Sequence, residues 1–592
     1  MKKLLILSML LLLLASMAVS QTLMDYVSAV SGDTLVIKDF VEMGNQPNSL
    51  YNAMLLDSLN VPAGRVYKLK VNGTYPLVNS PNTVRPVTIV GGDATILVNN
   101  TNAASAPPLI CGSTYEGGAN TGGINYSYDL TVKNCSVIPA TAARDLGWNF
   151  FWSNGQNAKL TLDNDYLERT RWVLFASSAS GQRYLINNCY FVNLNGQPCR
   201  RNGGVYDAFA FMDSMWVENS THIMTQGMMY KFRQYPFKRV VMNHNTFINC
   251  SGNIYLDWGY QTNVSNTNNI YVNCNVQAYP GISTIDVGEQ DLDGLPMGLI
   301  NLHAFPDPDS SYDQYRALPR KYLFEGNVVY WDPKLSSIVS TLNTNSVNGV
   351  TNWQNQMIIM NSRTTTMFND NSTYPYLTLG TNYTEAPVFT DPKTLMTTEV
   401  DNLKAFTLAT CDTNSTDVLP HWRVTNVGND FYVYSDWPIP VNLAYSNATL
   451  LTGATGGFPV GDLNWFPVRK AQWNAQRTAE YTAIEQALTT GGRTITAVAS
   501  DPDAPVEFSL AQNYPNPFNP STTISFSLAK SAVTTLKVFN TLGQEMATLV
   551  NGVMPAGSHE VTFNASGLAS GMYFYRLTSD AATQMKQMVI LK

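Results

Sequence analysis

Charge is scarce in this chain. Asp, Glu, Lys and Arg make up only 13% of its 592 residues, against a usual quarter. With 44% hydrophobic residues, that scarcity excludes both a disordered polyelectrolyte and a coiled coil. The charges sum to -7 at pH 7, so no global basic field attracts phosphate backbones or anionic lipid, and nucleic acid is not an expected partner. Cysteine is sparse too. Seven residues (Cys111, Cys135, Cys189, Cys199, Cys250, Cys274 and Cys411) are too few for a disulfide-dense scaffold. No CxxC pair occurs, and the five histidines (His222, His244, His303, His421 and His559) lack HExxH spacing. A zinc site is therefore not supported, and each histidine is expected at a surface or turn position. GxSxG, Walker A and GxGxxG are missing, which removes the hydrolase elbow and the nucleotide folds. No segment beyond the first twenty residues is long and apolar enough to span a bilayer.

Those twenty residues read as a secretory signal. Met1-Lys2-Lys3 gives a positive start, Leu4 to Leu14 an apolar run broken by Ser8, and Ala18-Val19-Ser20 the small residues of a cleavage site before Gln21. Residues 21–60 follow as an amino-terminal cap region.

A repeat runs through the middle of the chain. Asn187-Asn188-Cys189-Tyr190-Phe191-Val192-Asn193, Asn243-His244-Asn245-Thr246-Phe247-Ile248-Asn249 and Thr267-Asn268-Asn269-Ile270-Tyr271-Val272-Asn273 share one pattern: polar turn, apolar strand, Asn. With weaker copies included, the third residues fall at 135, 165, 189, 215, 245 and 269, at steps of 30, 24, 26, 30 and 24. Short strands at that period, with no helical pattern, predict a parallel β-solenoid over 61–335. Asn193, Asn219, Asn249 and Asn273 then stack about 4.8 Å apart at coil corners, because Asn tolerates the left-handed backbone of a sharp corner. Cys250 and Cys274, one coil apart, stack either as a disulfide or as buried thiols.

This pattern resembles the right-handed parallel β-helix of the pectate-lyase-like superfamily. The likeness extends upstream into 65–99, where Val87-Thr88-Ile89-Val90, Gly91-Gly92 and Ala94-Thr95-Ile96-Leu97-Val98 look like entry coils. Residues 336–500 read as a strand-rich continuation or cap, with one helix at 468–488 ended by Gly491-Gly492. A linker at 501–507 precedes 508–592, where five short strand segments predict a small β-sandwich. Within it stand Tyr514-Pro515-Asn516-Pro517-Phe518-Asn519-Pro520, then Leu542-Gly543-Gln544, then Gly571-Met572-Tyr573. These blocks resemble, in order and spacing, the type A C-terminal sorting domain of the bacterial type IX secretion system. The resemblance implies that the secretion machinery exports the chain across the outer membrane, removes this domain and commonly attaches the rest to the cell surface.

The expected fold is thus all-β, a right-handed parallel β-helix followed by a small carboxyl-terminal β-sandwich. Two functions suit the β-helix. As a binding module it presents a long face on which Tyr and Trp stack against sugar rings while amides bond hydroxyls of an extracellular polysaccharide. As a uronate-directed polysaccharide lyase it needs a cation, or Arg and Lys, to neutralise a carboxylate, and a base to take the adjacent proton. The basic, aromatic run 229–239 supplies Lys231 and Arg233 as candidate base, with Arg169, Arg171, Tyr230, Tyr235 and Trp258 as substrate contacts and Asp257 as a ligand for Ca2+. Two acidic loops, with Asp286, Glu289, Asp291 and Asp293, and with Asp307, Asp309 and Asp313, also suit calcium, although EF-hand spacing is not met. The polygalacturonase set of NTD, DD, GHG and RxK is absent, so that family's catalytic residues are not carried over.

Overall fold

The computed structural model describes residues 21–59, 61–92, 105–112, 123–139, 149–170, 172–194, 204–280, 291–306, 309–347, 350–408, 439, 441–490, 509–513, 515–528, 532–554, 557–579 and 582–591. The chain divides into two compact units, Met1–Ile495 and Thr496–Lys592.

The first unit is a parallel β-helix with three sheets as its walls. A long sheet of 12 strands runs from Val27–Ser31 to Tyr376–Leu379, a second of nine from Thr74–Leu77 to Val328–Tyr330, and a third of seven from Asn82–Thr83 to Tyr255–Asp257. One coil shows the path: Arg183–Asn187 in the long sheet, Tyr190–Val192 in the second, Gly204–Ala208 in the third, then Met212–Glu218 back in the long sheet beside Arg183–Asn187. Only the first pairing of the long sheet, Val27–Ser31 with Thr34–Ile37, is antiparallel.

Alternation fills the tube. Leu160 and Leu162, Tyr184 and Ile186, Met215 and Val217, and Val240 and Met242 point inward at matching positions of four consecutive coils. Register stacks like on like. Phe191, His222, Phe247 and Tyr271 form a column of near-parallel rings with centroids 4.6, 4.3 and 5.0 Å apart. Burying each aromatic of such a column contributes about 2–3 kcal/mol. His222 was expected at a surface or turn, but it belongs to this column, where its Nε2 meets the Tyr230 hydroxyl at 2.9 Å and burial drives its pKa down to about 3. A neutral imidazole is flat enough to act as one more ring. His244 does occupy a turn, but a buried one.

The tightest corner joins the long sheet to the second. In seven coils it has two residues: Asn134-Cys135, Asn164-Asp165, Asn188-Cys189, Asn219-Ser220, His244-Asn245, Asn268-Asn269 and Gly326-Asn327. The first of each pair has positive φ, between 47° and 70°, a conformation in which Asn is enriched and glycine is free of strain. The second points inward and forms a ladder. Asn245, Asn269 and Asn327 each accept with Oδ1 from the backbone N–H of the ladder residue one coil earlier, Ser220, Asn245 and Asn269, at 3.1, 2.8 and 2.8 Å.

This geometry corrects the expected Asn stack. Asn249 and Asn273 do stack, joined by a 3.0 Å side-chain bond, but the coil between Asn193 and Asn249 places Met224 in that column. Asn219 belongs to the tight corner instead, so the repeat there is anchored on Ser220 and not on residue 215. Cys250 and Cys274 pair in register as buried free thiols, the second of the two alternatives.

Past the last second-sheet strand, helices Ile338–Thr344, Ser362–Asn369 and Thr398–Leu408 stand beside three short strands, Tyr376–Leu379, Phe389–Asp391 and Asn442–Tyr445, so the described part of 336–500 is less strand-rich than expected. The expected helix is Pro467–Thr490. It lies along the flank of the tube, with Trp473 buried and Glu480 accepting from Trp473 Nε1 at 2.6 Å and Asn243 Nδ2 at 2.7 Å. No helix among the described residues is long and apolar enough to cross a membrane.

The second unit is a β-sandwich. A three-stranded antiparallel sheet holds Ser509–Leu510, Ser521–Leu528 and Gly557–Asn564; a four-stranded one holds Glu545–Met554, Ala532–Asn540, Gly571–Ser579 and Ala582–Ile590. Phe518, Ile524, Phe526, Leu536, Val538, Tyr575, Leu577 and Met588 fill the space between them.

Candidate functional site

The third sheet sets a row of outward side chains in register: Trp152, Ala176, Asp207, Lys231 and Leu256. Their inward neighbours Phe151, Phe175, Tyr206 and Tyr230 fill the core, which fixes the row on the outer face. Where Ala176 supplies only a methyl group, larger side chains gather. The indole of Trp172 donates from Nε1 to Asp207 Oδ2 at 3.1 Å and lies 5.5 Å from the Phe209 ring, edge-on at 61°. Phe209 stands 6.3 Å from Trp152. All three rings keep part of their surface in solvent.

Asp207 anchors the polar side of this platform. Arg233 forks onto it, with Nε to Oδ1 at 2.6 Å and Nη2 to Oδ2 at 2.8 Å, and Lys231 Nζ lies 4.0 Å from Oδ2. A bulge in the pairing between Lys231 and Arg233, with Arg233 at φ 51°, aims the guanidinium back along the row. Charge-assisted, bidentate bonds of this kind are the strongest of their class, and a carboxylate buried to 0% exposure requires them. The result is a rigid aromatic surface with a charged, hydrogen-bonded edge, suited to stacking on the apolar face of a sugar ring.

The structure brings Lys231 and Arg233 together at this site and separates the other expected residues from it. Tyr230 faces the coil interior, its ring wholly buried. Tyr235 packs edge-on against Phe211 at 5.7 Å. Arg169 sits buried at the corner between the second and third sheets, with φ 57°. The Trp258 indole nitrogen is buried without a hydrogen-bond partner among the described residues. Arg171 lies outside the described residues. Asp257 faces inward, lining a small cavity with Phe232, Asn266, Asn301 and Tyr322. Its carboxylate accepts from Gly259 N at 2.7 Å, and burial pushes its pKa up to about 7.

Among the described residues no group of three or more His, Cys, Asp or Glu is placed to hold a metal. Asp291 and Asp293 are engaged by Arg363 at 2.6 and 2.7 Å. Asp309 caps the short helical turn Ser310–Tyr312, and Asp313 pairs with Arg316. Asp286, Glu289 and Asp307 lie outside the described residues.

Sequence reasoning missed Asp207, Trp152, Trp172 and Phe209. A signal was present in the steps of the outward row: 24 residues from 152 to 176, 24 from 207 to 231 and 25 from 231 to 256, the coil period itself.

In the second unit, the expected sorting blocks serve the sandwich fold. Phe518 is buried, Asn516 Oδ1 accepts from Val589 N at 2.8 Å, and the bonds before Pro517 and Pro520 are cis. The Pro515 carbonyl accepts from Thr522 Oγ1 at 2.8 Å, while Asn519 is exposed. Asn540 Oδ1 accepts from Leu542 N and Gln544 N, both at 3.0 Å, closing a hairpin in which Gly543 takes φ 78°. Past Gly571, Tyr573 is buried and donates to the Ala569 carbonyl at 3.1 Å. Tyr514 lies outside the described residues.

Residues 512–591 match the secretion system C-terminal sorting domain. The match covers the sandwich nearly end to end and leaves the β-helix without an assignment. No curated protein matches the chain. The sorting domain marks the protein for export to the cell surface or the medium and for contact with the type IX secretion machinery. It carries no chemistry of its own for the β-helix.

Proposed function

We propose that this is a secreted, cell-surface-directed β-helix protein that binds or organises extracellular polysaccharide. On this reading residues 1–20 direct the first export step and the sorting domain the second. The observation that carries it is the platform of Trp152, Trp172 and Phe209, held at the edge of the Asp207–Arg233 pair on an otherwise regular sheet. Partly exposed aromatic rings cost free energy in water and repay it on a ligand whose own apolar face covers them. The test is affinity electrophoresis of the mature chain through gels containing neutral and uronate-bearing polysaccharides. Retardation by at least one polymer, weakened about tenfold in Trp172→Ala and Trp152→Ala, is the expected result, in line with a loss of stacking. Equal mobility of parent and variants in every gel would refute it.

A second reading, polysaccharide lyase, draws on the convergence of Lys231 and Arg233 at Asp207 beside the same platform. In it Lys231 or Arg233 supplies the base, and Asp257, the register partner of Arg233, helps hold a cation. Ultraviolet absorbance of an unsaturated product, followed on uronate polymers with and without calcium, separates the two readings.

A further inference from the structure

We propose that the outward face of the four-stranded sheet, centred on Arg576, is the surface by which the secretion apparatus reads the sorting domain, and that its partner there presents a carboxylate set in an apolar surface. The proposal rests on the sorting-domain match and adds a location and a chemistry to it.

Alternation divides the sheet. Leu536, Val538, Tyr573, Tyr575 and Leu577 point into the sandwich core, so Lys537, Phe539, Met572, Phe574 and Arg576 point the other way. Register joins these outward residues across strands: Phe539 opposes Phe574, Lys537 opposes Arg576, and Met585 opposes Arg576 from the other side. Met585 is 54% exposed and Met572 47%.

Arg576 holds the centre of this apolar strip. Its guanidinium stands 4.7 Å over the Phe539 ring. Lys537 has its own carboxylate, Glu545, at 2.8 Å, whereas no carboxylate among the described residues lies within ion-pair distance of Arg576. A guanidinium set over an aromatic ring, ringed by Phe and Met, near enough to Glu545 to help lower that carboxyl's pKa yet with no carboxylate among the described residues at ion-pair distance, is pre-ordered to accept a carboxylate from outside. Charge complementarity therefore selects an acidic partner surface.

The hairpin at residues 540–544 extends the strip. Asn540 and Gly543 account for the turn itself, yet Leu542 at its tip is 82% exposed and contributes nothing to the sandwich core. Pairing of Asn540 with Tyr573 places this tip at the same end of the sheet as Met572.

The test uses the full chain in a bacterial host with a type IX system, comparing surface proteolysis on intact cells with periplasmic content. Arg576→Glu and Met585→Glu are expected to lower the surface fraction about tenfold or more, as loss of an interface anchor does. Arg576→Lys, which keeps the charge, retains delivery. Leu542→Asp alters a solvent-exposed tip, so its loss of delivery has no folding explanation, and thermal melting of each purified variant checks the rest. Normal delivery of Arg576→Glu and Leu542→Asp overturns the proposal. A chain ending at residue 495 separates the two levels of inference. If it stays in the periplasm while the point variants are delivered, only the surface assignment falls; if it too reaches the surface, the sorting reading falls with it.

Discussion

Replacing Asp165 by Asn should stabilise the β-helix, and by more as the pH rises. Asp165 occupies the ladder position that Asn245, Asn269 and Asn327 hold in later coils. It is wholly buried, accepting from Cys135 N at 2.8 Å and Asp163 N at 3.1 Å. Burial outweighs these two bonds and holds its carboxyl well above the ordinary carboxylate range. In the unfolded chain the same group titrates near 4. An acid whose folded pKa is raised leaves stability intact below the unfolded value and erodes it as pH climbs toward the folded one, at about 1.4 kcal/mol per pH unit. An amide has no such titration. Its Oδ1 keeps the bond to Cys135 N, and its Nδ2 can face the Val132 carbonyl, as Asn245 Nδ2 faces Val217 O at 2.8 Å and Asn269 Nδ2 faces Met242 O at 2.9 Å, which offsets the acceptor that the partly buried Asp163 N–H gives up. Urea unfolding of the mature chain at pH 4 to 8, followed by tryptophan fluorescence, reads the difference. Parent and variant should nearly coincide at pH 4 and diverge upward. Asp165→Ala should instead cost about 1–3 kcal/mol at every pH, because the buried Cys135 N–H and the partly buried Asp163 N–H both lose their acceptor. Parallel pH profiles for parent and Asn variant would refute the reasoning.

Four further outcomes follow from the same structure. Asp462, which accepts from Thr221 Oγ1 at 2.7 Å, and Asp257 both have carboxyl groups pushed up to about 7 by burial, so stability should fall between about pH 4 and 7; Asp462→Asn should flatten that slope in melting curves. If Asp257 helps hold a cation, millimolar calcium should raise the melting temperature at pH 8 in the parent and not in Asp257→Asn. Phe247→Ala, which opens the ring column between His222 and Tyr271, should cost about 3–5 kcal/mol by urea unfolding. Removal of residues 496–592 should leave the melting of the β-helix within about 2 °C of the full chain, because the two units have separate cores.

The fold was legible wherever corner chemistry is local. Asn188, Asn268 and Asn273 announce left-handed corners through their identity alone, and the coil period follows from them. The slip at Asn219 has a physical cause: Trp216-Val217-Glu218-Asn219 imitates the strand-then-Asn pattern at the end of a seven-residue strand, Met212–Glu218, while the true short strand Thr221–Ile223 is followed by Met224, a residue rarely found at positive φ. His222 was misplaced because a neutral ring in an aromatic column depends on neighbours 25 to 31 residues away. The five strand segments that the sequence of the sandwich suggests, 522–528, 534–539, 560–563, 572–577 and 585–591, omit Glu545–Met554, because Asn551 and Gly552 interrupt it. The platform was hidden for a related reason. Trp152, Trp172 and Phe209 sit in or beside strands of three to five residues, too short for alternation to tell an outward aromatic from a core one.

The two-residue corner between the long and second sheets has a consequence for how such a chain can change. Across seven coils its length is invariant, since one added residue would turn each ladder side chain outward and strand the N–H that it serves. Insertions are admitted elsewhere: between Cys274 and Lys321 the chain leaves the coil for a 46-residue excursion and re-enters in register, with Thr267 pairing Glu325. The corner itself is longer only in the two entry coils, with residues 69–73 and 91–108, so within the seven coils that follow new loops accumulate around the third sheet, beside Trp172 and Asp207. A graft of foreign sequence after Val192 or Cys274 should be borne by this scaffold, whereas a single residue added after Asn188 should not. Across these seven coils the fold thus confines novelty to the wall that carries the candidate site and keeps the opposite edge fixed as the ruler by which each of them is measured.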